Sequence, residues 1–207
     1  ISGNGNIDTL VLANTTNRPL MTTFTVTPTF TNEGVSCEGE SVHFEVTVNP
    51  SAQVNPVTDQ VVCNGVETQQ IIFSTNRTGN NTTYTWSNDN PAIGLASSSE
   101  GNATGINAFT ASNTGSAPDT ANIIVTPTFT YNSEICSGTP DTFQIVVYPT
   151  IKVVEIDNQV VCNGLNTESI VFSSNSTGKG GVTYTWTNNT PSIGLASSSA
   201  GTATGIE

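Results

Sequence analysis

Positive charge is almost missing from this chain. Of 207 residues only four are Lys or Arg and one is His, against 16 Asp and Glu, for a net charge of −12. Arg18, Arg77, Lys152 and Lys179 stand far apart in sequence. Phosphate backbones need clustered cations, so no nucleic-acid partner is expected. Helical periodicity is lacking, and no apolar run approaches the ~18 residues of a membrane span, so a membrane link would come only through other parts of a longer protein. Cysteine is scarce, four in all with no CxxC spacing. That argues against zinc and for disulfides, hence an extracellular setting. Charged residues are only 10% of the chain, yet regular β-type alternation runs throughout and separates it from disordered sequences.

What the sequence does have is a repeat with a period of about 99 residues. DQVVCNG at Asp59–Gly65 returns as NQVVCNG at Asn158–Gly164, and YTWSNDNPAIGLASSS from Tyr84 returns as YTWTNNTPSIGLASSS from Tyr184. TVTPTF at Thr25–Phe30 recurs as IVTPTF at Ile124–Phe129, with Cys37 matching Cys136. A period of this length signals tandem whole domains, not solenoid units. Its phase gives residues 1–55 as the C-terminal part of one repeat, 56–153 as a complete repeat and 154–207 as the N-terminal part of a third. Both ends fall inside a repeat, so the chain reads as a window on a longer one.

In the complete repeat, strands are expected near Gln60–Val62, Thr68–Thr75, Thr82–Ser87, Ile93–Ala96, Ile106–Ser112, Ala121–Thr130 and Asp141–Tyr148, with Gly and Asn clusters between them. Seven short strands in such a length form the pattern of an immunoglobulin-like β-sandwich, so the fold class is all-β. The copies indicate which face is buried. Phe44, Val46 and Val48 become Phe143, Ile145 and Val147, whereas His43 and Glu45 become Thr142 and Gln144. The same alternation turns Tyr84, Trp86, Tyr184 and Trp186 inward, with Trp86 and Trp186 as core anchors. Pro-containing joins at Val48–Pro56 and Val147–Val154 read as semi-rigid, and a stack of such domains as an extended rod.

Cysteine pairing stays open at this level. Cys63 with Cys136 inside one repeat is the first choice, leaving partners of Cys37 and Cys162 outside the window. Against it, Cys63 follows the first strand and Cys136 precedes the last, which puts them at opposite poles of a simple sandwich. The pairs Cys37–Cys63 and Cys136–Cys162 would instead staple neighbours.

Candidates for chemistry weaken when the copies are compared. His43 sits on an outward strand face and is Thr142 one period on, which leaves no base for a catalytic triad. Asp89 becomes Asn189, Glu100 becomes Ala200, and Asp119 corresponds to Leu20, as solvated surface charges drift. No enzyme is expected. Calcium between modules would draw on Asp59, Glu67, Asp89, Glu155 and Asp157, but no DxDxDG-like cluster accompanies them, so no cofactor or metal is assigned. Gly-rich stretches lack the following helix that phosphate binding requires and read as turns. Asn-x-Ser/Thr triplets begin at Asn14, Asn76, Asn80, Asn81, Asn102, Asn175 and Asn188, about what frequent Asn and Thr produce by chance.

The string VVCNG, IIFS, YTWSNDNPAIGLASSS, FTASNTGSAP, IIVTPTFT, CSGTPDTFQIVVYPT resembles the PKD-like, immunoglobulin-type repeats of giant Bacteroidetes cell-surface proteins, among them mobile adhesins of gliding bacteria. The likeness covers essentially the whole chain. It implies a tandem β-sandwich stalk on the bacterial cell surface, exported by type IX secretion, with no catalytic residues to carry over. It also implies O-glycosylation at Asp-Ser/Thr followed by an apolar residue, which points to Thr9, Thr120 and Thr142. The first segment departs from the pattern, with TTNRPLMTTF in place of NTGSAPDTANI. The expected function is a structural stalk or filament segment of an adhesin for gliding motility or attachment. Its partners would be neighbouring repeats, with self-association into filaments or contacts to surface glycans and proteins. The alternative is a binding module presenting repeated loops to glycan or protein, with the recurring ASSS run at Ala96–Ser99 and Ala196–Ser199 as its displayed feature.

Overall fold

The computed structural model describes residues 5–79, 81–99, 101–177, 180–199 and 205–206. Glu100, Ala200, Asn80 and Lys179 lie outside the described residues. The fold is all-β. The first segment carries β1 (Leu20–Val26), β2 (Thr29–Asn32), β3 (Val35–Glu38) and β4 (Val42–Val48). The middle carries β5 (Gln60–Cys63), β6 (Ile71–Ile72), β7 (Thr82–Asn88), β8 (Gly105–Ile106), β9 (Asp119–Tyr131), β10 (Glu134–Ser137) and β11 (Asp141–Tyr148). The last segment carries β12 (Ile170–Val171) and β13 (Gly205–Ile206). Two short 3-10 turns, Pro91–Ile93 and Pro191–Ile193, complete the set.

β9 is the central strand of the middle region. β7 runs antiparallel along one of its edges, while β11 and β10 share the other in succession. β5 then joins the outer edge of β11 in parallel, Gln60 opposite Ile145 and Cys63 opposite Tyr148. The second layer is thin: the β6–β8 ladder with the loops around it. Alternation along β9 and β11 is strict, so Ala121, Ile123, Val125, Phe143, Ile145 and Val147 are all buried on one face. Ile71, Phe73, Tyr84, Ile93, Leu95 and Ile106 meet them from the other side and close the hydrophobic cluster. Burying a side chain of this size contributes roughly 1.5–3 kcal/mol. That makes this layer contact the main source of stability.

Several expected elements differ. Ile93–Ala96 is not a strand: Pro91 and the left-handed Gly94 (φ 97°) turn the chain into a 3-10 turn that still buries Ile93 completely. The expected strands at Thr68–Thr75 and Ile106–Ser112 shrink to β6 and β8. β10 was not foreseen. It follows a two-residue turn in which Asn132 and Ser133 both take positive φ, 49° and 64°, the geometry that matches strand twist in a tight hairpin.

The flanking segments repeat these pieces. β1 and β4 pair with Leu20 opposite Val48 and Val26 opposite Val42. One period on, β9 and β11 pair Asp119 with Val147 and Val125 with Asp141. Their inward faces are open, however: Val26 is 50% exposed and Phe44 43%, against 0% and 1% for Val125 and Phe143.

Candidate functional site

No cluster of three or more His, Cys, Asp or Glu side chains occurs among the described residues. The polar groups that do converge lie at the joins between segments, and the same bonds appear twice. Asn14 Nδ2 donates to Arg18 O (2.8 Å) and Val48 O (2.7 Å), while its Oδ1 accepts from the Thr16 amide (2.9 Å). One period on, Asn113 Nδ2 donates to Ala117 O (2.8 Å) and Val147 O (2.7 Å), and its Oδ1 accepts from the Gly115 amide (2.9 Å). Each Asn ties the entry of one strand to the exit of its partner. Asn113 is buried, so a full set of partners is what makes its burial tolerable.

The loop that each Asn shapes then holds the next segment. Thr78 N donates to Asn17 O at 2.9 Å, and Thr177 N donates to Ser116 O at 2.9 Å. The first join adds Arg77, whose Nε reaches Ser51 O (2.8 Å) and whose Nη1 reaches Thr16 O (2.9 Å), and Asn49 Nδ2, which donates to Tyr131 O (3.1 Å). At the second join Ser116 and Thr177 hydroxyls bond at 2.9 Å and Lys152 N donates to Asn175 Oδ1 at 2.8 Å. Gly138 of the CSGTP motif lies so close to the Ala52 carbonyl that a Cβ would collide with it. Here glycine is required by close approach.

Of the acidic residues at the joins and loops, Asp59 and Asp89 are held in the fold's own bonding. Asp89 accepts from Asn122 N and Nδ2, both at 2.7 Å, and these bonds hold its carboxyl below the usual carboxylate range. Asp59 accepts from Gln144 N (2.7 Å), and Gln144 Nε2 reaches Asn122 Oδ1 (2.9 Å), so a polar chain crosses the outer face of the sheet. His43 is exposed and bonds Thr25 Oγ1 at 2.8 Å.

Cys63 and Cys136 are not brought together. All four thiols are free. Cys63 lies beside Tyr148, at the Asp119 end of β9, whereas Cys136 faces Phe129 at the other end. Ten residues of strand, about 33 Å at ~3.3 Å each, separate the two ends, against the roughly 4.4–6.8 Å a disulfide spans. Cys37 and Cys162 are exposed in the first and last segments and bridge neither of them.

The aromatic residues are placed as follows. Tyr84 is buried against Phe73 (centroids 5.6 Å apart), and burial pushes its phenol up, a bond with Thr75 pulling partly back. Trp86 is half-buried and packs against the cluster, whose fully buried large members include Phe143 and Ile93 instead. Tyr184 packs on Phe172 with the same 5.6 Å spacing, and Trp186 is half-buried. Thr9, Thr120 and Thr142 are all exposed.

The recurring serine run has an internal use. Ser99 Oγ accepts from Trp86 N (3.2 Å) while Ser99 N donates to Trp86 O (3.0 Å), and Ser199 repeats both bonds with Trp186. Asn88 and Asn188 each donate to the carbonyl of Leu95 or Leu195 at 3.1 Å and accept from the amide two residues on. Asn14 and Asn188 stand in Asn-x-Ser/Thr triplets, yet their amide nitrogens are already engaged within the fold.

No protein-family model matches the chain, and no curated protein matches it either.

Proposed function

We propose that the chain is a stalk segment of a large repetitive bacterial surface adhesin: tandem immunoglobulin-like, PKD-like sandwiches in an extended rod, serving gliding or attachment. The observation that carries this reading is the duplicated join. The bonds Thr78–Asn17 and Thr177–Ser116 recur one period apart at the same 2.9 Å, each on a loop shaped by the same Asn. A join whose backbone bond recurs one period on would set one domain's orientation on the next, as a spacer that bears tension requires. Excess negative charge keeps neighbouring stalks soluble and apart.

The chain does no chemistry in this reading; it holds a distal part of the protein away from the cell. Binding through repeated loops is less favoured, because one hydroxyl of each recurring serine run, Ser99 and Ser199, is bonded to the backbone of its own segment. The extracellular setting rests on the likeness of the repeats. Antibody against residues 56–153 on intact living cells tests it. Surface label, travelling along the cell body or on fixed fibres, is expected; label seen only after permeabilisation would overturn it.

A further inference from the structure

The middle region is entered and left along one edge of its sheet. The incoming chain reaches that edge beside the start of β11, where Val57 N donates to Asp141 Oδ2 at 3.0 Å. It then runs parallel to β11 through β5, with Gln60 beside Ile145 and Cys63 beside Tyr148. The outgoing chain leaves from the end of β11 through Pro149 and Thr150. A pull from the first segment therefore reaches β5 from the Asp141 end, and a pull from the last segment reaches β11 from the Tyr148 end. Tension along the chain slides the two strands past each other in opposite directions. The bonds of a parallel ladder are evenly spaced along its length. A sliding load falls on all of them together, and none opens ahead of the rest.

Side chains lengthen this ladder at both ends. Asp141 takes Val57 N where the two stretches first meet, and Asp59, one residue before β5, accepts from Gln144 N at 2.7 Å. Both bonds put a carboxylate on a backbone amide, and charge-assisted bonds are stronger than neutral ones. Past Cys63, Asn64 N donates to Tyr148 O at 2.8 Å and Asn64 Nδ2 to Thr150 Oγ1 at 3.0 Å. Asn64 Oδ1 in turn accepts from Asn113 N at 2.8 Å, which fixes this end of the ladder to the loop that meets the last segment. Ile145 and Val147 are fully buried on the inner face and Val62 packs on the same cluster, so one side of the ladder is kept from water.

We propose that the β5–β11 ladder is a mechanical clamp, the part of the fold that carries a pulling force and sets how fast the middle region unfolds under it. β7, β9 and β10 lie between β5 and β11 in the chain, so they come under load only after those two strands part. The use of such a clamp in a cell rests on the stalk reading. Its resistance follows from strand direction alone and is measured on the chain by itself, so a weak clamp and a wrong location are separate results. Forced unfolding is governed by the unfolding rate and not by equilibrium stability. Substitutions in the clamp and substitutions elsewhere in the fold therefore separate in their effects.

Single-molecule pulling on the 207-residue chain in two geometries tests it. Held by its two ends, the chain loads the ladder in sliding. Held at the exposed Cys63 and at the C-terminal end, with the other three cysteines replaced by Ser, it peels the ladder from the Tyr148 end one bond at a time. The event is recognised by its length, residues 57–148 releasing roughly 300 Å at ~3.3–3.6 Å each. At equal force the peeled geometry should unfold at least about tenfold faster, and Asp59→Ala or Asn64→Ala should raise the end-pulled rate about tenfold. Gly94→Ala, in the 3-10 turn away from the ladder, is the comparison: it lowers stability in urea and should leave the end-pulled rate unchanged. Urea unfolding of each variant confirms that it folds. Equal rates in the two geometries would overturn the proposal. So would clamp variants that unfold no faster than the native chain, or a Gly94→Ala effect as large as theirs.

Discussion

Asn113 illustrates how much one buried amide can decide. Its side chain closes a loop, ties β9 to β11 and presents Ser116 to the next segment, all through three hydrogen bonds. Asn113→Ala leaves the Val147 and Ala117 carbonyls and the Gly115 amide without that partner, so we expect a loss of about 1–3 kcal/mol, read from urea unfolding. Asp89 gives a pH signature. Its carboxyl is held below its ordinary value by the Asn122 bonds, so it takes up a proton less readily in the folded state. Its contribution is complete above the unfolded value of about 3.9 and is lost as pH falls through the folded value. The stability difference between the native chain and Asp89→Asn should therefore be largest near neutrality and close in acid. A thermal melt series shows it, and a difference independent of pH would count against the assignment. At the thiols, peptide mapping after mild oxidation should recover no Cys63–Cys136 cross-link, given their positions at opposite ends of β9.

At the scale of elements, period-2 alternation made β5, β7, β9 and β11 legible, because burial on one face leaves a pattern that both copies keep. The same signal misread Ile93–Ala96. A buried Ile beside Gly and Leu looks alike in a strand or a turn, and only Pro91 and Gly94 tell them apart. β10 escaped because it spans four residues and depends on positive φ at Asn132 and Ser133, residues that do not advertise the turn as glycine does. The joins escaped for another reason. Their bonds are mostly to backbone carbonyls, whose partners no side-chain pattern reveals, and the stretch that forms them reads as a departure from the repeat. Gly94→Ala tests the turn. A Cβ there would meet Thr110 O at 2.7 Å on a backbone with φ 97°. We expect a loss of more than about 1 kcal/mol in chemical unfolding.

For the whole molecule, the hydrophobic cluster accounts for folding and the joins for direction. The cluster belongs to residues from Val54 to Val147, and the flanking halves repeat its two sides without closing it. The segments meet through a handful of hydrogen bonds, two of which Arg77 donates at the first join. Arg77→Ala should change the stability of the complete domain little, since exposed contacts of this kind are worth no more than about 1 kcal/mol, yet it should loosen the join. The most direct measurement is the distance distribution between spin labels on Cys63 and on Met21→Cys. The other three cysteines are replaced by Ser, and the labelled chain is diluted in unlabelled chain to suppress contacts between copies. A single narrow distance that broadens in Arg77→Ala is the result predicted for a stalk with specified joins. A broad distribution in the unsubstituted join would contradict it, making the segments beads on a flexible string.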